Sequence, residues 1–248
     1  MNDTKQWALS QPDGEFFAPQ RGNDRSSPRL RQALGYVGFF LPGLVYVFAA
    51  WRSVGGFPGW KPLDSLSEYY YSGSVAILTG ALGAIAAFLF TYQGYTNPYR
   101  RWDVLTGKVA GVAALGVALF PTESLSPFEE PPWWVGWIGK VHLASACLLF
   151  ACLIVFSVFL FPISDAPSEG QRADRRVQNP VYRLCGAGMA GLLIWAGVAL
   201  QRRSPIFFQE SLALMLFGIS WLTKGRAAYT LRKTAGAIAK TTRAFFRR

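Results

Sequence analysis

The sequence predicts an all-α fold, a polytopic membrane helix bundle of six transmembrane helices. Six long apolar stretches lie between residues 33 and 224, and loops whose Lys and Arg content alternates separate them. The 248-residue chain is 51% apolar and 15% aromatic, which suits a bundle in lipid better than a soluble domain of this size. A soluble helical protein can own one such stretch, but six in succession indicate a membrane protein.

Each apolar stretch is long enough to span a bilayer. A helix rises about 1.5 Å per residue, so a hydrocarbon core about 30 Å thick needs about 20 residues. Each stretch holds about 17 to 21 residues, and Glu210 interrupts the sixth, which makes it the weakest of the set. The predicted spans are Ala33–Trp51, Ser74–Tyr92, Val104–Phe120, Val141–Phe161, Leu184–Leu200 and Pro205–Thr223.

The basic residues predict an orientation. With the loops assigned to alternating sides, 20 of the 25 Lys and Arg residues fall on the side of the two termini. Cytoplasmic loops carry the excess of Lys and Arg in membrane proteins. Both termini are therefore expected to be cytoplasmic. The few basic residues of the opposite side are Arg52, Lys61, Lys140, Arg202 and Arg203.

The two ends of the chain differ from the predicted membrane domain, residues 32–225. Residues 1–31 are polar, and we interpret them as a flexible cytoplasmic tail. Residues 226–248 are rich in Arg and Lys and place apolar residues on one helical face, which predicts an amphipathic helix bound to anionic lipid. The net charge of +11 follows from the positive-inside bias and does not indicate nucleic-acid binding. The apolar face consists of Leu231, Ala235, Ile238, Thr242 and Phe245.

Small residues and cysteines inside the spans are interpreted as packing residues. Gly107 and Gly111 form a GxxxG motif, which lets helix backbones approach closely. Packing within the chain is the favoured use of this motif, and a homo-oligomer is left open. Cys147, Cys152 and Cys185 fall inside spans, so we expect small buried apolar residues there rather than metal ligands. No metal and no cofactor are predicted.

Polar residues near the outer ends of four helices are the candidate ligand-binding residues. An ionisable group within a span is costly unless it is paired or faces water, which makes it a functional candidate. Glu210 lies more than a turn inside the sixth span, and His142, the only histidine, opens the fourth. Together with neighbours at similar depth they predict an outward-facing polar vestibule. Its residues are Ser67, Glu68, Tyr70, Glu123, His142 and Glu210.

Four of these groups also have a structural explanation. Glu210 could pair with His142 or with a basic residue at a neighbouring helix end, and so lock helices together. His142 could bond a loop carbonyl at the membrane interface. Ser65 or Ser67 could bond the amides at a helix start, where Glu68 would face the helix dipole.

Five short motifs lie at the ends of the spans. They are Ser65-x-Ser67-x-Tyr69-Tyr70, Leu119-Phe120-Pro121-Thr122, Val141-His142, Glu210-Ser211-x-Ala213-Leu214 and Phe217-Gly218-Ile219-Ser220-Trp221-Leu222-x-Lys224-Gly225. In these motifs the chain resembles a family of small bacterial integral membrane proteins without an assigned activity. The resemblance covers nearly the whole span region and implies a multi-pass protein of the cell inner membrane, with membrane lipids as partners. The chain also has a more distant similarity to ceramidase and progestin-receptor-like membrane hydrolases. This similarity does not imply their chemistry, because those enzymes hold zinc with three histidines and this chain contains one histidine.

Three functions are compatible with these residues. The leading hypothesis is a non-enzymatic protein that binds a lipid headgroup or small polar solute, or passes it, through the vestibule. The second is a membrane-embedded lipid hydrolase with Ser65 or Ser67 as nucleophile and His142 as base, which requires those side chains within about 3 Å. The third is a non-catalytic assembly or signalling component. The sequence assigns no catalytic residue and leaves enzymatic activity open.

Overall fold

The computed structural model describes residues 28–52, 61–94, 98–124, 129–163 and 169–225, and these residues form helices without any strand. A 3-10 helical turn, Ser67–Tyr71, precedes the second long helix. The predicted amphipathic tail, residues 226–248, and most of the N-terminal tail lie outside the described residues. The long helices are α1 (Pro28–Arg52), α2 (Val75–Thr91), α3 (Arg100–Leu119), α4 (Gly136–Ile163), α5 (Glu169–Gln201) and α6 (Phe207–Lys224).

Four of these helices are long and apolar enough to cross a membrane. The qualifying segments are Arg29–Ala50, Arg100–Leu119, Gly136–Ile163 and Val177–Gln201. Helix α2 is apolar but holds 17 residues, and α6 carries Gln209 and Glu210 in its first turn. The outward faces are apolar as well, since Leu184 is 72% exposed and Ile194 is 70% exposed. Such surface is expected in contact with lipid and not with water, so the chain is a helical membrane protein.

The helices form a closed ring in which each one packs against its neighbours in sequence, and α6 returns to α1. The side chain of Gln32 donates a hydrogen bond of 2.6 Å to the carbonyl of Gly225, so α1 begins where α6 ends. We call this end of the bundle the termini end. The opposite end carries the 3-10 turn and is called the turn end.

Glycines bring two pairs of helices into close contact. A Cβ atom on Gly218 would lie 2.7 Å from the carbonyl oxygen of Gly35, so α6 and α1 cross almost backbone to backbone. Gly107 and Gly111 lie against carbonyls of α2, each 3.3 Å from the position of a Cβ atom. The GxxxG motif thus packs α3 onto α2 within the chain, as its favoured interpretation predicts.

Aromatic rings fill the interior toward the termini end. Trp221 is fully buried, and five rings surround its indole with centroids 5.1 to 6.0 Å away. Their edge-to-face geometry is the preferred one for aromatic pairs. Beside this cluster α4 widens to a π-helix over Phe156–Leu160, where Ser157 and Ser220 share a hydrogen bond of 2.9 Å. The rings are those of Phe88, Tyr92, Phe156, Phe161 and Phe217.

Four of the six helices begin earlier than predicted, whereas α2 and α6 begin slightly later, at Val75 and Phe207. Helix α1 begins at Pro28, inside the predicted N-terminal tail, and α5 begins at Glu169, far ahead of Leu184. Hydropathy detects only the part of a helix that lies in lipid, so polar turns that continue the helix are missed. Cys147 was expected to be buried and is exposed instead, because α4 turns one face away from the ring.

Candidate functional site

The turn end gathers polar residues from four separate parts of the chain. They come from the 3-10 turn, from the segment that follows α3, from the first turns of α4 and from the start of α6. Helices that alternate in direction bring these points to one side of the bundle. The cluster therefore depends on the topology of the whole ring.

His142 and Ser67 form the centre of this cluster. Nε2 of His142 lies 2.9 Å from the hydroxyl oxygen of Ser67, and Nδ1 lies 2.6 Å from the carbonyl oxygen of Phe120. A carbonyl can only accept, so Nδ1 carries the proton of the neutral ring and donates it to Phe120. Nε2 is then an acceptor, and the Ser67 hydroxyl donates to it. His142 itself is only 6% exposed.

The carbonyl that orients His142 is provided by the way α3 ends. Phe120 follows the last residue of α3 and has extended backbone angles, φ −107° and ψ 107°. The next residue is Pro121, whose ring disfavours helical angles in the residue before it. The Phe120 carbonyl therefore leaves the helical direction and becomes available to the imidazole. This contact is the loop-carbonyl bond considered for His142 above, and Ser67 occupies the other ring nitrogen.

Ser65 and Glu68 stabilise the 3-10 turn from within. The Glu68 amide donates to the Ser65 hydroxyl at 3.2 Å, which makes Ser65, and not Ser67, the capping serine. The Glu68 carboxylate accepts a hydrogen bond from the Asp64 amide at 3.1 Å. Burial raises the pKa of Glu68 to about 7, and the nearby charge of Asp64 contributes in the same direction.

Glu210 connects the 3-10 turn to α6 through a hydrogen bond to the backbone. Its carboxylate accepts a hydrogen bond of 2.7 Å from the Leu66 amide, and among the described side chains it pairs with neither His142 nor a basic residue. The Asp64 carbonyl in turn accepts from the amides of Ile206 and Phe207, at 2.6 and 2.9 Å. These amides open α6 and have no partner within that helix. The turn and the start of α6 thus satisfy each other's backbone groups.

The three consecutive tyrosines have different surroundings. Tyr71 donates from its hydroxyl to the Thr122 carbonyl at 2.6 Å. The Tyr69 hydroxyl accepts from the Leu63 amide at 3.4 Å, and its ring is buried. Tyr70, the tyrosine that was expected to contact a ligand, packs partly buried against the core with its ring 5.6 Å from that of Tyr71.

Four of the six predicted site residues therefore come together: Ser67, Glu68, His142 and Glu210. Glu123 is exposed, and no hydrogen bond joins it to the other five predicted residues. Sequence reasoning missed Tyr71 and the Phe120 carbonyl. A signal for the carbonyl existed, since a residue before proline at a helix end is biased toward extended angles.

A metal site has no support from the arrangement of ligands. Among the described residues, no group of three or more His, Cys, Asp or Glu side chains is placed to hold a metal ion. The cluster offers a hydroxyl, an imidazole, the buried carboxyl group of Glu68 and the partly buried carboxyl group of Glu210. Comparisons of the chain with protein-family models, with curated proteins and with solved structures find no match.

Proposed function

We propose that this protein is a membrane-embedded hydrolase with Ser67 as nucleophile and His142 as general base. The observation that carries the proposal is the pair of contacts on one imidazole, 2.9 Å to Ser67 and 2.6 Å to the Phe120 carbonyl. A nucleophile within reach of a base that a third group orients is the arrangement that activates serine in nucleophilic catalysis. Ser67, and not Ser65, is the proposed nucleophile, because Ser65 caps the turn.

The dyad supports an ester or amide cleavage through an acyl-enzyme. Ser67 Oγ attacks the carbonyl carbon while its proton passes to His142 Nε2. The bond to the leaving group then breaks, and that group takes the proton from His142. Water attacks the acylated Ser67 in the same way, which releases the acid and restores the serine. Phe120 offers a neutral carbonyl where other triads have a carboxylate, so it stabilises the imidazolium less and slow turnover is expected.

Membrane lipid is the proposed substrate class. In this proposal the six helices span the inner membrane of a bacterial cell with both termini in the cytoplasm, and the turn end then faces the outer side. Trp133 and Trp137 flank this end, each 56% exposed, and tryptophans of this kind prefer the headgroup region. The dyad would then lie at the depth where lipid headgroups join their acyl chains. The contact between Gln32 and Gly225 supports termini on one side.

Binding or passage of a polar headgroup or solute is the second candidate. Two carboxyl groups favour it, since Glu68 and Glu210 accept hydrogen bonds from amides of the same short segment, those of Asp64 and Leu66. A ligand that displaced one of these bonds could couple its binding to movement of the turn. An assembly or signalling role without ligand chemistry stays a hypothesis from the sequence.

Turnover of lipid in a defined bilayer tests the hydrolase proposal. The full chain is reconstituted in nanodiscs of bacterial phospholipid, and fatty acid and lysolipid are measured by mass spectrometry. We expect product from wild type and from Ser65→Ala, and loss of at least a hundredfold in Ser67→Ala and His142→Ala. Equal product from Ser67→Ala and Ser65→Ala would refute Ser67 as the nucleophile.

A further inference from the structure

We infer that Tyr71 is a positioning residue for His142, and that it acts through the backbone segment Phe120–Thr122. The inference deepens the proposed function and rests on it for its catalytic meaning. The Tyr71 hydroxyl bonds the Thr122 carbonyl, two residues beyond the carbonyl that orients His142.

Three successive carbonyls of this segment accept hydrogen bonds from three side chains. Phe120 accepts from His142 Nδ1 at 2.6 Å, Pro121 from the Trp134 indole at 3.5 Å, and Thr122 from Tyr71 at 2.6 Å. The Trp134 contact lies at the long limit for a hydrogen bond and is weak. The strong contacts are thus the outer two. Pro121 cannot donate from its own backbone, so side-chain donors to the carbonyls are important for fixing the segment.

The two strong contacts return to the same 3-10 turn. Ser67 opens that turn and reaches the segment through His142, while Tyr71 closes the turn and reaches the segment directly. The turn and the segment are therefore joined at two points, one of which is the dyad. The distance between Ser67 and His142 depends on where the segment lies relative to the turn. The hydrogen bond of the Tyr71 hydroxyl to Thr122 fixes that position at the second point.

The Tyr71 hydroxyl remains a donor at every pH at which the dyad could work. Burial raises its pKa to about 12, with a contribution from the charge of Glu130. Loss of the hydroxyl would leave the Thr122 carbonyl without this bond and free the segment to move. The Phe120 carbonyl would then leave Nδ1 part of the time. The neutral imidazole would no longer be held in the single form that places a lone pair toward Ser67.

A single histidine makes this consequence directly measurable. The chain contains one histidine, so protein labelled with ¹⁵N-histidine gives the ring signals of His142 alone, and their shifts report which nitrogen carries the proton. In the full chain in nanodiscs we expect wild type and Tyr70→Phe to show protonated Nδ1 only. Tyr71→Phe should show a mixture of the two neutral forms. Tyr70 is the matched control because it neighbours Tyr71 on the turn and loses the same atom.

Turnover provides the second readout. Tyr71→Phe should lower kcat at least tenfold for the lipid reaction with KM within twofold, because the dyad is disturbed and the binding surface is not. Tyr70→Phe should match wild type in both constants. Unchanged His142 signals in Tyr71→Phe would overturn the inference whether or not the protein turns over lipid. Absence of turnover in wild type, with the expected change of tautomer in Tyr71→Phe, would sustain the positioning role and refute only the proposed hydrolase.

Discussion

The hydroxyl of Ser67 lies 2.9 Å from Nε2 of His142, although 75 positions of the chain separate the two residues. One belongs to a short 3-10 turn and the other to the second turn of α4. Their contact needs the turn to be held in place from several directions. Glu210 of α6 holds it through Leu66, and the segment after α3 holds it through Tyr71.

Removal of the Glu210 carboxylate should destabilise the fold. Its bond to the Leu66 amide is 2.7 Å long and links the turn to α6, and a buried amide left without its acceptor costs about 1–3 kcal/mol. Glu210→Ala should therefore unfold at a clearly lower temperature in detergent than wild type, whereas Glu210→Gln, which keeps an acceptor oxygen, should unfold close to it. Glu123→Ala is the control at an exposed glutamate of the same end. Equal losses at Glu210 and Glu123 would contradict the structural role of the bond.

Glu68 should make stability depend on pH. Its pKa rises from the ordinary 4.5 to about 7, so the folded state holds a proton that the unfolded state releases. The resulting stabilisation is complete below pH 4.5 and is lost as pH rises through about 7.

The variant Glu68→Gln isolates this effect. Glutamine keeps an acceptor for the Asp64 amide and cannot ionise. We expect the melting temperature of wild type, relative to Glu68→Gln, to fall between pH 5 and pH 8, as followed by tryptophan fluorescence in detergent. A difference that is constant over this range, or that grows with pH, would be inconsistent with a buried Glu68.

Orientation can be tested by chemical labelling in cells. Cysteine replaces Glu129 at the turn end or Gln93 at the termini end, both exposed, in a background without Cys147, Cys152 and Cys185. Because the turn end is proposed to face outward, a membrane-impermeant maleimide should label Glu129→Cys in intact cells and Gln93→Cys only after lysis. The reverse pattern would place the dyad on the cytoplasmic side.

The placement of Ser67, His142 and Glu210 at one end of the bundle was predictable. Successive helices alternate in direction, so the end of each odd-numbered helix and the start of the next helix lie on the same side. The partners of these residues were harder to predict. Glu210 binds the backbone amide of Leu66. Every residue except proline has such an amide, so the sequence does not single out Leu66. The sequence does identify His142 and the basic side chains, and these were the predicted partners of Glu210.

The choice among the three tyrosines was limited by the local helix type. A 3-10 turn has three residues per turn, and an α-helix has 3.6, so neighbouring tyrosines point in directions that depend on which form is present. Over five residues, hydropathy does not distinguish a 3-10 turn from an α-helix. The predicted site includes Tyr70, whereas Tyr71 makes the bond to Thr122. The predicted length of α5 was too short because the polar turns at its start carry no apolar signal.

Covalent labelling of Ser67 tests the proposed dyad most directly. A fluorophosphonate probe reacts with serine hydroxyls that a neighbouring base activates, and mass spectrometry of the digested protein locates the modified residue. The full chain in nanodiscs should be labelled at Ser67, and His142→Ala should reduce that labelling at least a hundredfold, whereas Ser65→Ala, which removes only the cap of the turn, should reduce it far less. Failure of wild type to label at Ser67, or equal labelling in His142→Ala, would contradict the assignment of Ser67 and His142 as nucleophile and base.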